Sequence, residues 1–188
     1  MDRSSAIVTH LAEVVRSSAS QLLTRQDVQL LVEGLRYDEP ILAKLTPNVT
    51  NILPPAKAAK DGGADAVSLI NTLNSIMRVD YDTLTMYPAT DGMGTHGGYC
   101  GEAVKPIALN MVAEISRHAE TADIPISGIG GITDWRDAVD FLALGADNVQ
   151  VCTAAMVYGF KIIDDESEHL IRYDPANQTL QVFDERAQ

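Results

Sequence analysis

Cysteine is nearly absent: the chain has two in 188 residues, Cys100 and Cys152. Two thiols make no disulfide framework, and no Cys/His spacing matches a zinc site or a cysteine-rich iron–sulfur motif. Disulfide-stapled secreted folds and small metal modules are therefore set aside. Basic residues are scarce too, with 14 Lys and Arg against 26 Asp and Glu, and the formal net charge of −12 repels polyanions at long range. This counts against nucleic-acid binding and against adsorption to anionic lipid. No window holds the apolar run of a membrane span, and the opening "MDRSSAIVTHLAEVV" lacks an apolar core of signal-peptide length. The expectation is a cytoplasmic chain in reducing surroundings, with a small molecule or another protein as its partner.

What is present is a repeated grammar. Hydrophobic residues make up 46% of the chain, enough for one domain with a sizeable core. Between Ser4 and Arg36, apolar residues from Ile7 to Val32 recur at helical spacing with a break near Thr24, which predicts two amphipathic helices. Beyond them, "PILAKLTP" reads as a short strand and "PPAKAAKDGGADAVSLINT" as helix, glycine turn and buried strand. "KPIALNMVAEISRHAETADIPISGIGG" and "WRDAVDFLALGADNVQVCTA" repeat the pattern, the second with Gly145 as the helix stop. Strands near Leu42–Leu45, Ala66–Asn71, Pro125–Gly128 and Asn148–Cys152, separated by helices, imply successive right-handed βαβ units and a parallel sheet. The fold class is α/β.

The longest irregular segment, residues 71–106, leaves the carboxyl end of a strand and is far longer than an ordinary βα connection. Ligands bind at that end of α/β sheets. The C-terminal "RYDPANQTLQVFDERAQ" carries a turn signal at Asp174-Pro175 and an alternating run from Leu180 to Phe183, read as an edge strand or a loose end. In "DIPISGIGGITDW", Gly130 and Gly131 follow a strand and precede a helix. Such a pair makes a tight βα turn, or lets a ligand approach the main chain with amides directed at an anion. After the next strand, Thr153 offers a hydroxyl at a helix start, and paired phosphate-gripping loops after the last two strands are habitual in (β/α) barrels.

The stretches "LAKLTPNVTNI", "AAKDGGADAVSLINT", "GGYCGEAVKPIAL", "PISGIGGITDWRDAVDFLALGADNVQVCTA" and "YGFKIIDD" resemble the second half of the FMN barrel of dihydropyrimidine dehydrogenase. The bacterial NAD-dependent catalytic subunit is the nearest type, and dihydroorotate dehydrogenase the nearest related family. The resemblance runs from about Pro40 to Asp165. It implies a flavin oxidoreductase that reduces uracil or thymine to the 5,6-dihydro form, or the reverse, with electrons from an NAD(H)-linked donor subunit. The resemblance gives Lys44 a place at the flavin ring, where a cation offsets negative charge on reduction. Asn71 and Thr72 resemble a pair that hydrogen-bonds the pyrimidine, to which amide and hydroxyl groups are suited. Gly101 corresponds to a glycine that lets the FMN phosphate region pack closely. Ile129, Gly130 and Gly131 correspond to the first phosphate loop, and Cys152 and Thr153 to the second.

The family's general-acid cysteine belongs to a loop upstream of the lysine strand, and that loop has no counterpart here. Cys100 sits where the family has a serine or another small residue, so no catalytic residue is assigned. His96 has no partner carboxylate at readable spacing and His118 falls at a polar helix end; neither suggests a metal.

A complete barrel has eight strands, and about four are legible. The expected organisation is a helical segment over 1–39, half of a (β/α)8 barrel over 40–165 and a tail over 166–188. Open edges of such a half barrel favour self-association or a partner that completes it. The segment "IVTHLAEVVRSSASQLLTRQDVQLLVEGLR" is similar to a cytoplasmic part of the export-gate proteins of type III secretion and flagellar systems. It implies an alternative: a chimeric, non-catalytic interaction or structural protein.

Overall fold

The computed structural model describes residues 40–159 and two further strands at 169–174 and 179–184. The helices expected between Ser4 and Arg36, and the export-gate resemblance that rests on them, lie outside the described residues.

Along the chain, β1 (Leu42–Lys44) leads into α1 (Leu53–Asp61) and β2 (Ala66–Leu69). An antiparallel arm follows, built from β3 (Leu73–Ser75), β4 (Arg78–Val79), β5 (Met86–Tyr87), β6 (Ala89–Thr90), β7 (Met93–Gly94) and β8 (Gly97–Tyr99). A 3-10 turn (Glu102–Val104) opens directly into α2 (Lys105–Arg117), after which come β9 (Ile126–Ile129), α3 (Trp135–Ala143), β10 (Asn148–Gln150) and α4 (Thr153–Tyr158). The last two strands are β11 (His169–Asp174) and β12 (Thr179–Asp184).

The four strands expected to form the sheet do so, all parallel, in the order β1-β2-β9-β10. Spatial order equals chain order, with no reversal. A doubly wound sheet turns back on itself at a switch point, whereas a strand series that advances one way is an arc of a barrel. β1, β2 and β10 end one or two residues sooner than the apolar runs suggest and β9 ends one later, though backbone bonds continue past the first two: Leu45 N–H reaches Ser68 O at 2.8 Å and Ile70 N–H reaches Ile129 O at 2.8 Å.

Period-2 alternation sorts the sheet residues into two faces. Val67, Leu69, Ile126 and Gly128 turn to the helices, and Gly128 lies under Phe141 so closely that a Cβ there would stand 2.5 Å from the ring. The helix faces that meet them follow the 3.6-residue period: Ala56 and Ala59 on α1; Ala108, Met111, Val112 and Ile115 on α2; Ala138 and Phe141 on α3. Each large side chain buried here, such as Phe141 or Ile115, contributes about 1.5–3 kcal/mol. Prolines in the first turns of α1 and α2 preset the backbone where no intrahelical N–H is needed. Asp134 and Asp137 form a capping box at the start of α3.

The other face of the sheet is polar. Lys44, Ser68, Ser127 and Asn148 stand in one row of the register. Gln150 Nε2 donates to Ser68 Oγ at 2.9 Å and to Ser127 Oγ at 2.7 Å, and Ser127 Oγ donates to Asn148 Oδ1. A layer of hydrogen-bonded side chains thus ties β2, β9 and β10 on the inside of the arc.

Two expectations change. Of the two readings of the Leu180–Phe183 run, the loose end gives way: β12 pairs antiparallel with β11, Leu170 opposite Phe183, and each is an edge strand of a two-stranded sheet. The long segment after β2 is not irregular. Its hairpins pair Leu73 with Tyr99, Arg78 with Tyr87 and Ala89 with Gly94. Asp80 shapes the tip between β4 and β5, accepting from the N–H groups of Asp82 and Thr83 and from the Thr83 hydroxyl at 3.0–3.1 Å. Among the described residues, no helix is long and apolar enough to cross a membrane.

Candidate functional site

A cavity of about 220 Å³ opens at the carboxyl ends of the parallel strands. Its lining combines Lys44 from β1, Asn71 and Thr72 after β2, Tyr99 to Glu102 from the end of the arm, Ile129 to Thr133 after β9, and Gln150 with Cys152 to Ala154 around the end of β10. All nine residues singled out in the sequence, Lys44, Asn71, Thr72, Gly101, Ile129, Gly130, Gly131, Cys152 and Thr153, line it. Pockets for drug-sized ligands run from about 300 to 1,000 Å³, so the volume enclosed by the described residues falls below that range.

Lys44 is exposed, and among the described residues no carboxylate pairs with it. Its ammonium is a cation left over for a ligand. Asn71 Oδ1 accepts from Thr72 N–H at 2.8 Å, which leaves the amide hydrogens of Asn71 and the Thr72 hydroxyl as the groups these residues offer. Asn48, which the sequence reading passed over, holds this corner. Its Nδ2 donates to Thr72 O and Thr46 Oγ1, both at 3.0 Å, while its Oδ1 accepts from Asn74 N–H at 2.8 Å. The signal available was its position directly after Pro47 in the quoted "KLTPN" run, but a partner 24 residues away is invisible locally.

The Gly130–Gly131 loop joins both meanings open for a glycine pair. Gly131 has a φ of 73°, and a Cβ there would sit 2.9 Å from the carbonyl oxygens of Gly101 and Glu102 and from Lys105 Cβ. Packing against the segment before α2 therefore requires glycine at this position whether or not a ligand is bound. Gly101, with φ 88°, differs: a Cβ would meet only Thr153 Cγ2, at 3.6 Å, on the cavity side. The expected helix-terminus contribution is altered. Asp134 takes the N–H groups of Arg136 and Asp137, and Asp137 Oδ2 takes those of Thr133 and Asp134, so the first donors of α3 are already engaged by carboxylates. Among the described residues, no hydrogen bond leaves the N–H of Gly131 or Ile132. Unpaired loop amides of this kind are groups that can receive an anion.

Asp137 and Lys105 dominate the electrostatics behind this loop. Lys105 Nζ bonds Asp137 Oδ1 and lies 2.6 Å from Asp140 Oδ2. Burial drives the Asp137 carboxyl upward, but hydrogen bonds from Lys105 and Thr133 outweigh it and hold the group below the usual aspartate range. For Lys105 burial acts downward, and the two aspartates overcome it and raise the ammonium.

Gln150 also escaped the sequence reading. Both its amide hydrogens are engaged by Ser68 and Ser127, so its carbonyl oxygen is the group left on the cavity floor. Cys100 and Cys152, both exposed free thiols, line the same cavity. His96 is not among the lining residues, and His118 Nδ1 accepts from Glu120 N–H at 3.3 Å at the end of α2. Among the described residues, no group of three His, Cys, Asp or Glu is arranged to hold a metal ion.

Comparison with known proteins gives these features a setting. The model of the family described as dihydroorotate dehydrogenase matches residues 2–173. NAD-dependent dihydropyrimidine dehydrogenase subunit PreA of Escherichia coli strain K12 is 46% identical over 134 residues, which cover 71% of this chain and 33% of that protein. The catalytic subunit of dihydroorotate dehydrogenase B (NAD(+)) of Pyrococcus horikoshii is 46% identical over 136 residues, 72% of this chain and 42% of its own length. The chloroplastic dihydropyrimidine dehydrogenase (NADP(+)) of Arabidopsis thaliana is 41% identical over 143 residues, 72% of this chain and 34% of that protein. The chain spans a third to less than half of each of these relatives.

Proposed function

Because the chain belongs to the dihydroorotate dehydrogenase family, we propose that its cavity is the flavin and pyrimidine side of an FMN-dependent oxidoreductase site, one that interconverts uracil or thymine and their 5,6-dihydro forms. The observation that carries this reading is convergence. Residues from Lys44 to Thr153, drawn from separate βα units, meet around one cavity at the carboxyl end of a barrel arc. The fit to FMN is chemical: a lysine with no ion-pair partner and glycine-loop amides with no hydrogen-bond partner among the described residues, a threonine hydroxyl, and Gly101, where a Cβ would make one ordinary contact.

When bound, FMN supplies hydride transfer to and from the pyrimidine ring. The chain's own residues bind and orient. Lys44 offsets negative charge at the flavin ring, a role open to it because it has no ion-pair partner among the described residues. Asn71 and Thr72, held by Asn48, present donors and an acceptor to the edge of a pyrimidine. Gly131, Ile132 and Thr153 would hold the phosphate, and Ile70 and Ile129 would supply an apolar wall that excludes water. Electrons reach the site from an NAD(H)-linked donor subunit, a reading supported by the NAD and subunit terms in the names of two relatives. A partner chain or a second copy would extend the arc along β1 and β10, whose outer edges carry no strand among the described residues.

Titration of the purified chain with FMN tests this directly. Saturable quenching of flavin fluorescence is expected, and Lys44→Ala should weaken it about tenfold or shift the flavin potential, with the melting temperature unchanged because the side chain is exposed. Uracil and dihydrouracil should perturb the bound flavin spectrum more strongly than dihydroorotate. Absence of saturable binding would overturn the proposal.

A further inference from the structure

We propose that Asp137 and Lys105 are positioning residues for the phosphate end of the site, and that their clamp sets the preference for a phosphate monoester over its dephosphorylated form. The inference rests on the flavin reading above.

Three structural facts carry it. The first is where the loop is tied. Thr133 N–H and the Thr133 hydroxyl both donate to Asp137 Oδ2 at 2.7 Å, and Asp134 N–H donates to the same oxygen at 3.2 Å. The other oxygen, Oδ1, takes Lys105 from the first turn of α2, 32 residues away. One carboxylate thereby fixes the loop's end to its own helix and to the helix before it. The second fact is close packing. Gly131 lies against the backbone of Gly101 and Glu102 with no room for a Cβ, so the loop's other end is braced by the segment that leads into Lys105. At and between these two ties, the N–H groups of Gly131 and Ile132 have no partner among the described residues.

The third fact is charge. Asp137 and Asp140 lie just behind the loop, and both bond Lys105. The side chains of Asp137 and Lys105 are 14% and 19% exposed, so solvent screens the Asp137–Lys105 pair weakly. Left unpaired, these carboxylates would repel an incoming phosphate. With Lys105 in place, one of the two negative charges is cancelled, which lowers the repulsion an anion meets at the loop's unpaired amides. Neither Asp137 nor Lys105 is among the residues that line the cavity, and no bond links either of them to Lys44. The clamp's influence should therefore appear in the phosphate contribution to binding and not in the ring contribution.

The test compares FMN with riboflavin, which keeps the ring and ribityl chain and lacks the phosphate. Affinities of both are measured by flavin fluorescence on the full chain for the unaltered protein, Asp137→Ala, Lys105→Met and Thr133→Val. The unaltered protein should prefer FMN, and inorganic phosphate should compete with FMN but not with riboflavin. Asp137→Ala and Lys105→Met should each weaken FMN about tenfold while riboflavin changes less than about twofold. Thr133→Val, which removes one donor and leaves every charge, keeps the test decisive if Asp137→Ala does not fold; it should lower the FMN-to-riboflavin ratio in the same direction by a smaller factor. Equal weakening of both ligands would mean that the clamp only stabilises the fold, and would overturn the inference while the flavin reading stands. Unchanged FMN affinity in folded variants, or no preference for FMN in the unaltered protein, would do the same. Failure of the unaltered protein to bind either flavin would overturn both.

Discussion

At the scale of single residues, glycines in the site are not interchangeable. Gly131 and Gly101 both sit at positive φ, where a Cβ carries a steric cost of about 1–2 kcal/mol. Gly131 adds contacts at 2.9 Å with two backbone carbonyls, while Gly101 has one ordinary contact at 3.6 Å. Gly131→Ala should therefore cost about 2–4 kcal/mol in urea unfolding, and Gly101→Ala about half as much. Equal losses would mean that φ alone governs both positions. This contrast was not legible in the sequence. "GIGGIT" showed a bare backbone after a strand, but which glycine is enforced by the protein depends on Gly101 and Glu102, whose approach is a tertiary matter. The roles of Lys44, Asn71, Thr72 and Gly101 came from family resemblance, because nothing in their local spacing separates a ligand contact from a strand end.

Elements show what a local pattern can and cannot carry. The helices α1, α2 and α3 announce themselves by first-turn prolines, an aspartate cap and apolar residues at helical intervals. The arm does not, since its paired runs are two or three residues long and alternation needs more to be seen. Its large apolar residues are also unusually exposed: Tyr81 at 92%, Met77 at 79% and Leu84 at 77%. Brief chymotrypsin treatment should cut at Tyr81 or Leu84 before Phe141, which is fully buried; early cleavage at Phe141 would contradict the packing of α3 on β9. The α2–α3 tie has its own signature. Asp137, held below the ordinary aspartate range, adds stability that is complete above the unfolded value of about 3.9 and is lost as pH falls through its lowered native value. Lys105, held above the ordinary lysine range, adds stability that is complete below about 10.4 and is lost as pH rises through its raised native value. The stability gap between the unaltered protein and Asp137→Asn, about 1–3 kcal/mol at neutral pH, should thus narrow at both extremes. A gap independent of pH would show that charge contributes nothing to the tie.

The whole molecule sets the field in which a ligand arrives. A net charge of −12 opposes a phosphate dianion at long range, while Lys44 attracts it only at close quarters. Raising ionic strength from about 10 to about 200 mM shortens the screening length to below 10 Å. FMN association should therefore speed up, by about two- to fivefold, when measured by stopped-flow quenching. Slowing with salt would mean that the local cation governs the approach.

By itself the sequence determined the α/β class, the four parallel strands and their helices, and the end of the sheet where a ligand would sit. Each of these is written in short-range periodicity, in glycine and proline punctuation, and in the direction in which a βαβ unit must turn. Only the tertiary structure decided the pairings: Lys105 with Asp137, Gln150 with Ser68 across 82 residues, Asn48 with Thr72, and β11 with β12 in a sheet of their own. A side chain's hydrogen-bond capacity is local, but its partner is fixed by strand order and helix docking. Those follow from burying one shared core, a property of the whole chain that no window of sequence contains.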